Sequence, residues 1–241
     1  MDRLKFANKK VLITAGPTRE ALDPVRYISN HSSGKMGYAI ARRFLEQGAK
    51  VFLVSGPVCL QLEHPNLKLV NVNSANEMYL TCCHFFEKVD IAVFAAAVAD
   101  YRPEKIAEQK IKKDESSFTI KMVKNIDTAY EFGRVKTTNQ ISVGFALETN
   151  DELKHAKGKL DKKNFDMVVL NSMNDANATF GFDTNKITII KKDYFSKEFS
   201  LKSKTKVAQD IINEIAALMH DDAKFEKNKF ETLHFNRISV S

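Results

Sequence analysis

The chain has 241 residues, 44% of them apolar and 17 of them Phe, against nine Gly and five Pro, which supports a packed core and excludes a disordered polymer. Its formal charge of +7 arises from 37 basic and 30 acidic residues that are interspersed, a pattern that favours local anion sites over a nucleic-acid groove. No apolar run approaches the roughly 18 residues of a membrane span. Met1–Lys10 also lacks the apolar centre of a secretory signal.

Three cysteines, two of them adjacent, suit neither an ordinary disulfide nor a zinc knuckle. A reduced, cytoplasmic protein is expected, with Cys59, Cys82 and Cys83 as small core residues. The length accommodates one large α/β domain or two small ones.

In chain order, Lys9–Gly16 is an apolar run suited to the first strand of a parallel sheet. A polar loop follows. From Ser33 to Ala49 the period turns helical, with Met36, Ile40 and Phe44 on one face and Gly48 at the expected terminus. Lys50–Gly56 and Leu67–Val72 are the second and third strands, and Ser74 is placed to cap a helix over Ala75–Lys88.

Val89–Ala97 reads as a buried fourth strand, Phe118–Val123 as a half-exposed strand, and Ile126–Phe132 as a short helix. The alternation continues with strand Ile141–Leu147, helix Asp151–Lys163, strand Phe165–Asn171 and an edge strand at Lys186–Ile190. Thr205–His220 is an amphipathic helix presenting Val207, Ile211, Ile215 and Leu218. The expected organisation is one domain over residues 1–220, followed by a charged tail or appended helix over 221–241.

Such alternation predicts a doubly wound, mostly parallel, Rossmann-like sheet with helices on both faces, and a hairpin or flap inserted after the fourth strand. Ligands of such sheets lie beyond the carboxyl ends of the strands. The loop from Gly16 to Gly37 is long for that edge and ends in Ser32, Ser33, Gly34, Lys35, Met36 and Gly37 as a helix begins. Small residues at a helix N-terminus suit a phosphate, although the same pattern suits a Ser-capped helix with a close-packing glycine.

Two common motifs fail. Ser29 and Met36 break the Walker loop, and Pro17-Thr18-Arg19 replaces the dinucleotide fingerprint after Gly16. Tyr101 and Lys105 have short-chain dehydrogenase spacing, but Pro103 between them disrupts the helix that chemistry needs. An NAD(P)-dependent reductase is thereby disfavoured. A catalytically silent interaction module is the other alternative. Asp100, after the small run Ala95–Ala99, suits a ribose, a metal or a simple cap; Lys110–Lys113 suits either a solvated face or a mobile anion contact. Lys159 and Lys163 share a helix face. None of the six His residues has metal-ligand spacing with another.

Ile13–Glu20, Leu22–Gly37, Leu53–Pro57, Ala96–Pro103, Lys110–Lys113, Ile120–Asn125 and Val143–Phe145 together resemble the phosphopantothenate–cysteine ligase family, over roughly Lys9 to Ala217. The resemblance implies ligation of 4′-phosphopantothenate to L-cysteine in coenzyme A biosynthesis, through an acyl-nucleotide formed from CTP with Mg²⁺. It implies no flavin in this chain, no nucleic-acid or membrane partner, and a homodimer.

Carried over by position, Asn30 and Lys110 would be catalytic and Arg26 would bind substrate. Ser32, Ser33, Gly34, Lys35, Gly37, Ala96, Ala97, Asp100, Lys110, Phe145, Lys159 and Lys163 would contact nucleotide, as would the backbone of Ile126, Asp127, Thr128 and Ala129. Metal ligands stay unassigned.

Overall fold

The computed structural model describes residues 4–112, 117–175, 178 and 181–219. It opens with β1 (Lys10–Ala15), whose alternate side chains enter two different cores. A hairpin of β2 (Arg19–Ala21) and β3 (Tyr27–Ser29) then leads into α1 (Lys35–Glu46). Next come β4 (Lys50–Ser55), β5 (Leu67–Asn71), α2 (Ala75–Phe86) and β6 (Ile91–Phe94). A second hairpin pairs β7 (Tyr101–Pro103) with β8 (Met122–Lys124). It precedes α3 (Thr128–Val135), β9 (Ile141–Glu148), α4 (Glu152–Lys162) and β10 (Met167–Ser172). The antiparallel strands β11 (Thr184–Lys191) and β12 (Ser196–Ser203) end the sheet, and α5 covers residues 204–219.

The eight-stranded sheet runs β12-β11-β10-β9-β6-β1-β4-β5. Its six parallel strands, counted in chain order, lie 3-2-1-4-5-6, the doubly wound arrangement whose direction reverses between β1 and β6. Val11, Ile13 and Ala15 pack with Ile40 and Phe44 of α1 and with Val207, Ile211 and Ile215 of α5. Leu12 points the other way, into Met78, Cys82 and Phe86 of α2, Phe132 of α3 and Leu160 of α4. Burial of both faces explains why the parallel strands read as unbroken apolar runs.

The mostly parallel, doubly wound architecture and the hairpin after the fourth sheet strand are as the periodicity predicts. Local departures have physical causes. The run Val89–Ala97 is strand only over Ile91–Phe94, because its alanines leave the sheet to line a cleft. Of Phe118–Val123, only Met122 and Val123 enter a strand, and that strand pairs with β7 outside the main sheet. The three-residue strands β2 and β3 are too short to show a period. The edge strand β12 carries the charged residues Lys197, Glu198 and Lys202, and charges on an edge strand protect it from further pairing.

Among the cysteines only Cys82 is a core residue, and burial pushes its thiol pKa up; Cys59 and Cys83 are exposed, contrary to expectation. Residues 221–241 and Lys113 lie outside the described residues. No helix of the described residues is long and apolar enough to cross a membrane.

Candidate functional site

The loops leaving β1 and β6 are knitted together at the reversal point. Pro17 and Ala97 form a parallel bridge, Ala97 N–H donates to the Gly16 carbonyl (2.9 Å), and Ala99 N–H donates to Thr18 Oγ1 (3.0 Å). Asn30, just past β3, donates its side-chain amide to the Ala97 carbonyl at 2.9 Å. The β2–β3 hairpin is thus anchored over the carboxyl ends of the central strands.

The first turn of α1 faces this junction. Its N-cap is Gly34 in the left-handed region (φ 76°), with no side-chain cap and no acidic residue in the first turn. The Ser-capped alternative is therefore not what forms. First-turn N–H groups uncapped by a side chain, at the positive end of the helix dipole, make a seat for an anion. Gly37 brings the helix close to β1: a Cβ there would lie 2.6 Å from the Cβ of Ala15.

One cavity opens from this seat, and a second adjoins it. The more open one is about 330 Å³. Asn30, Ser32, Ser33, Gly34, Lys35 and Gly37 line one side of it. Ala96, Ala97, Asp100, Phe145 and Lys159 line the other. The second cavity, about 150 Å³, is more enclosed and shares Ala96, Asp100, Phe145 and Lys159 with the first. Ile126, Asp127, Thr128, Ala129 and Lys163 complete its predicted lining.

Arg26 and Lys110 line neither cavity. Arg26 is instead engaged by Asp23 and by the Ile111 carbonyl.

The cations of the site are partnered. Lys163 pairs with Asp127 (2.9 Å), Lys159 with Glu148 (2.7 Å) and Lys35 with Asp183 (2.6 Å). Lys159 and Lys163, which share a helix face, are each offset by a carboxylate from another element. Hydrogen bonding to Lys35 holds the Asp183 carboxyl below its usual range. Burial, then the charge of Lys35, lowers the pKa of Lys204, which also lines the open cavity. Asp127 additionally caps α3 by accepting from Tyr130 N–H at 3.1 Å.

Asn171, Asn185 and Lys204 belong to the site but not to the predicted set. Asn185 is 2% exposed and its Oδ1 has no hydrogen-bond partner; Thr128 Oγ1, in the enclosed cavity, has none either. Such orphaned oxygens need a partner. Asn171 carried a signal, the carboxyl end of a parallel strand; Asn185 and Lys204 enter from the antiparallel edge and α5 and carried none. Among the described residues no group of three or more His, Cys, Asp or Glu side chains is arranged to hold a metal ion.

Comparison with known proteins places this geometry in context. The family model described as the DNA/pantothenate metabolism flavoprotein C-terminal domain matches residues 6–219. A protein named cysteine/cysteine sulfinic acid decarboxylase, from an unknown prokaryotic organism, is 47% identical over 88% of this chain and 59% of its own length. The coenzyme A biosynthesis bifunctional protein CoaBC of Haemophilus influenzae is 48% identical over 85% of this chain and 50% of its own. The chain thus spans about half the length of the curated relatives it matches.

A crystal structure of the C-terminal domain of a CoaBC protein superposes with a TM-score of 0.76 at 37% identity, covering 90% of this chain and 98% of that one. A Cab2 mutant in complex with phosphopantothenate-cysteine shares the fold at 19% identity, with a TM-score of 0.71 and coverage of 91% and 89%.

These names correct the activity that the sequence resemblance implied. The family description is that of a flavoprotein domain and a 47%-identical relative is named a decarboxylase, whereas a ligase without flavin was expected. The ligase activity, its substrates phosphopantothenate, cysteine and CTP, its Mg²⁺ and the expected absence of flavin are therefore set aside, together with the dimer that came with them. Coenzyme A biosynthesis is named for the CoaBC relative and for the solved C-terminal domain. On the match over residues 6–219, this chain belongs to the family of DNA/pantothenate metabolism flavoprotein C-terminal domains.

Proposed function

We propose that this chain is a coenzyme A biosynthesis domain whose cleft binds the phosphopantothenoyl–cysteine conjugate, with an anionic group of the ligand on the N-terminus of α1. The observation that carries this reading is the uncapped first turn of α1, aimed into a cavity at the reversal point of the sheet. Lys35 and Lys204 line the cavity beside that seat. Asn185 Oδ1 and Thr128 Oγ1 offer acceptors to a ligand that carries amide and hydroxyl donors. The Cab2 mutant of the same fold was solved with phosphopantothenate-cysteine, and the bifunctional relatives are named for coenzyme A biosynthesis.

Within this reading the site residues divide the work. Ser32, Ser33, Gly34, Lys35 and Gly37 hold phosphate. Asn30 is fixed by the Ala97 carbonyl at the mouth of the open cavity. Asp100, Ile126–Ala129, Phe145, Lys159 and Lys163 receive the remainder of the ligand or a phosphorylated companion.

The family description implies a flavin. The α1 seat fits the phosphate of a flavin mononucleotide, which Ser32, Ser33, Gly34, Lys35 and Gly37 would hold, and the open cavity beside it, about 330 Å³, reaches the ~300 Å³ at which sites for such ligands begin.

Calorimetric titration with phosphopantothenoylcysteine and its dephosphorylated form tests the reading. Loss of the phosphate is expected to weaken binding by roughly tenfold or more, the strength of a charge-assisted contact. Equal affinities would overturn it. Decarboxylation, the activity in one relative's name, is assayed separately as CO₂ release with and without flavin mononucleotide. Release supports that reaction on this chain; binding without release keeps the ligand assignment and excludes decarboxylation by this chain alone.

A further inference from the structure

Asp100 follows the small residues that leave β6, and it lines both cavities. It is exposed there, and its carboxylate has no hydrogen-bond or ion-pair partner among the described residues. The peptide before it is what sets its place. Ala99 N–H donates to Thr18 Oγ1 at 3.0 Å, and the Ala99 carbonyl accepts from Asn125 Nδ2 at 2.8 Å. One residue further on, the Asp100 carbonyl accepts from Asn125 N–H at 2.8 Å.

The two holders come from different hairpins. Thr18 is fully buried at the entry to the β2–β3 hairpin, and Asn125 follows β8 at the base of the second one. They lie 81 and 26 positions from Ala99, so both contacts are tertiary. Arg102 Nη1 donates to the Lys124 carbonyl at 2.8 Å and lies 3.4 Å from Asn125 Oδ1, which leaves the amide nitrogen turned to Ala99.

We propose that Thr18 and Asn125 are positioning residues: they lock the Ala99 peptide between the two hairpins and so fix Asp100 where the cavities meet, with its carboxylate accepting a hydroxyl or amide hydrogen of the ligand. The inference rests on the proposed conjugate, which carries both kinds of donor. A carboxylate only accepts, and it repels a phosphate, so Asp100 orients the ligand with its anionic end on α1 and its donors inward.

Each holder matches the group it meets. The Ala99 N–H needs an acceptor, which a hydroxyl provides, and the Ala99 carbonyl needs a donor, which a primary amide provides. Thr18→Val keeps the shape and loses the acceptor, whereas Thr18→Ser keeps the acceptor.

Two readouts on the full chain test the arrangement. In hydrogen exchange, Thr18→Val should speed the Asn125 amide, across the Ala99 peptide from Thr18, by roughly tenfold, and Thr18→Ser should keep the wild-type rate. In calorimetric titration with phosphopantothenoylcysteine, Asp100→Ala should weaken binding by roughly tenfold and Asn125→Ala by several-fold. The double variant should lose no more than Asp100→Ala alone.

Additive losses in the double variant would overturn the proposal and give Asn125 a ligand contact of its own. Wild-type affinity in Asn125→Ala, or an unchanged Asn125 amide in Thr18→Val, would overturn it as well. If Thr18→Val does not fold, Asn125→Ala carries the exchange test, read at the Ala99 amide. If the wild-type chain binds no conjugate, the proposed ligand fails, while exchange still decides whether Ala99 is held from both sides.

Discussion

Gly37→Ala tests whether the anion seat depends on how closely α1 approaches β1. The added methyl would lie 2.6 Å from Ala15 Cβ and 3.2 Å from Ala15 Cα, both within the rigid first strand. Carbon atoms pack at about 3.5–4.0 Å, so α1 must retreat by about 1 Å at its first turn. Overpacking of this kind costs about 1–3 kcal/mol, partly offset by the ~1 kcal/mol that alanine gains over glycine in a helix.

Gly158→Ala in α4 is the matched control, because nothing lies within 4 Å of the Cβ position there. It should stabilise the protein by about 1 kcal/mol, so the two variants should differ by roughly 1–3 kcal/mol in urea unfolding. Gly37→Ala should also weaken conjugate binding by about tenfold, as the first-turn amides move off the ligand. A Gly37→Ala protein as stable as the Gly158→Ala one, or one with wild-type affinity, would refute the close-approach argument.

Other outcomes follow from particular contacts. Lys136, nearly buried, pairs with Asp166 and donates to Ser142 Oγ at 3.0 Å. Lys136→Met should cost about 1–3 kcal/mol in chemical denaturation, since it removes the charge-assisted bond to Asp166, which is part-exposed and keeps the Ser142 N–H. Ser74 accepts from Glu77 N–H at 3.2 Å, while Glu77 accepts from Asn73 N–H at 2.8 Å. Ser74→Ala should therefore cost about 1 kcal/mol, read as a lower urea midpoint with an unchanged slope.

Asp23 concerns pH. Hydrogen bonding to Arg26 holds its carboxyl well below the usual range, outweighing the opposing effect of burial. A depressed pKa contributes stability that is fully present above the unfolded value of about 3.9 and is lost as pH falls through the folded one. Comparison of wild type with Asp23→Asn from pH 7 down to pH 2 should show the gap in stability narrowing only at the acid end. A gap independent of pH would show that the carboxylate's charge is not what matters.

The sheet was legible because burial on two faces writes itself locally: β1, β4 and β10 are apolar runs, and α1 and α5 carry 3.6-residue stripes. The N-cap at Ser74 was legible for the same reason, since the Glu77 N–H it accepts from lies three residues on. The segment Ser32–Gly37 could be marked as a helix start suited to an anion, but not decided against a serine cap. That decision lies in Gly34 adopting φ 76° against the β1–β4 loops, with Val58 and Gly16 as its neighbours.

Partnerships between distant segments were outside the reach of any local period. Lys159 and Lys163 read as a repelling pair, yet folding brings Glu148 and Asp127 to neutralise them. Asn185 and Lys204 reach the cleft only because β11 and α5 close over the edge of β10. Arg26 read as a ligand contact by position, and the structure ties it to Asp23 and Ile111. The sequence by itself determined which segments bury an apolar face, because that follows from side-chain period. Tertiary structure alone decided which polar groups meet, because hydrogen bonds and ion pairs join whatever residues the sheet order brings within reach.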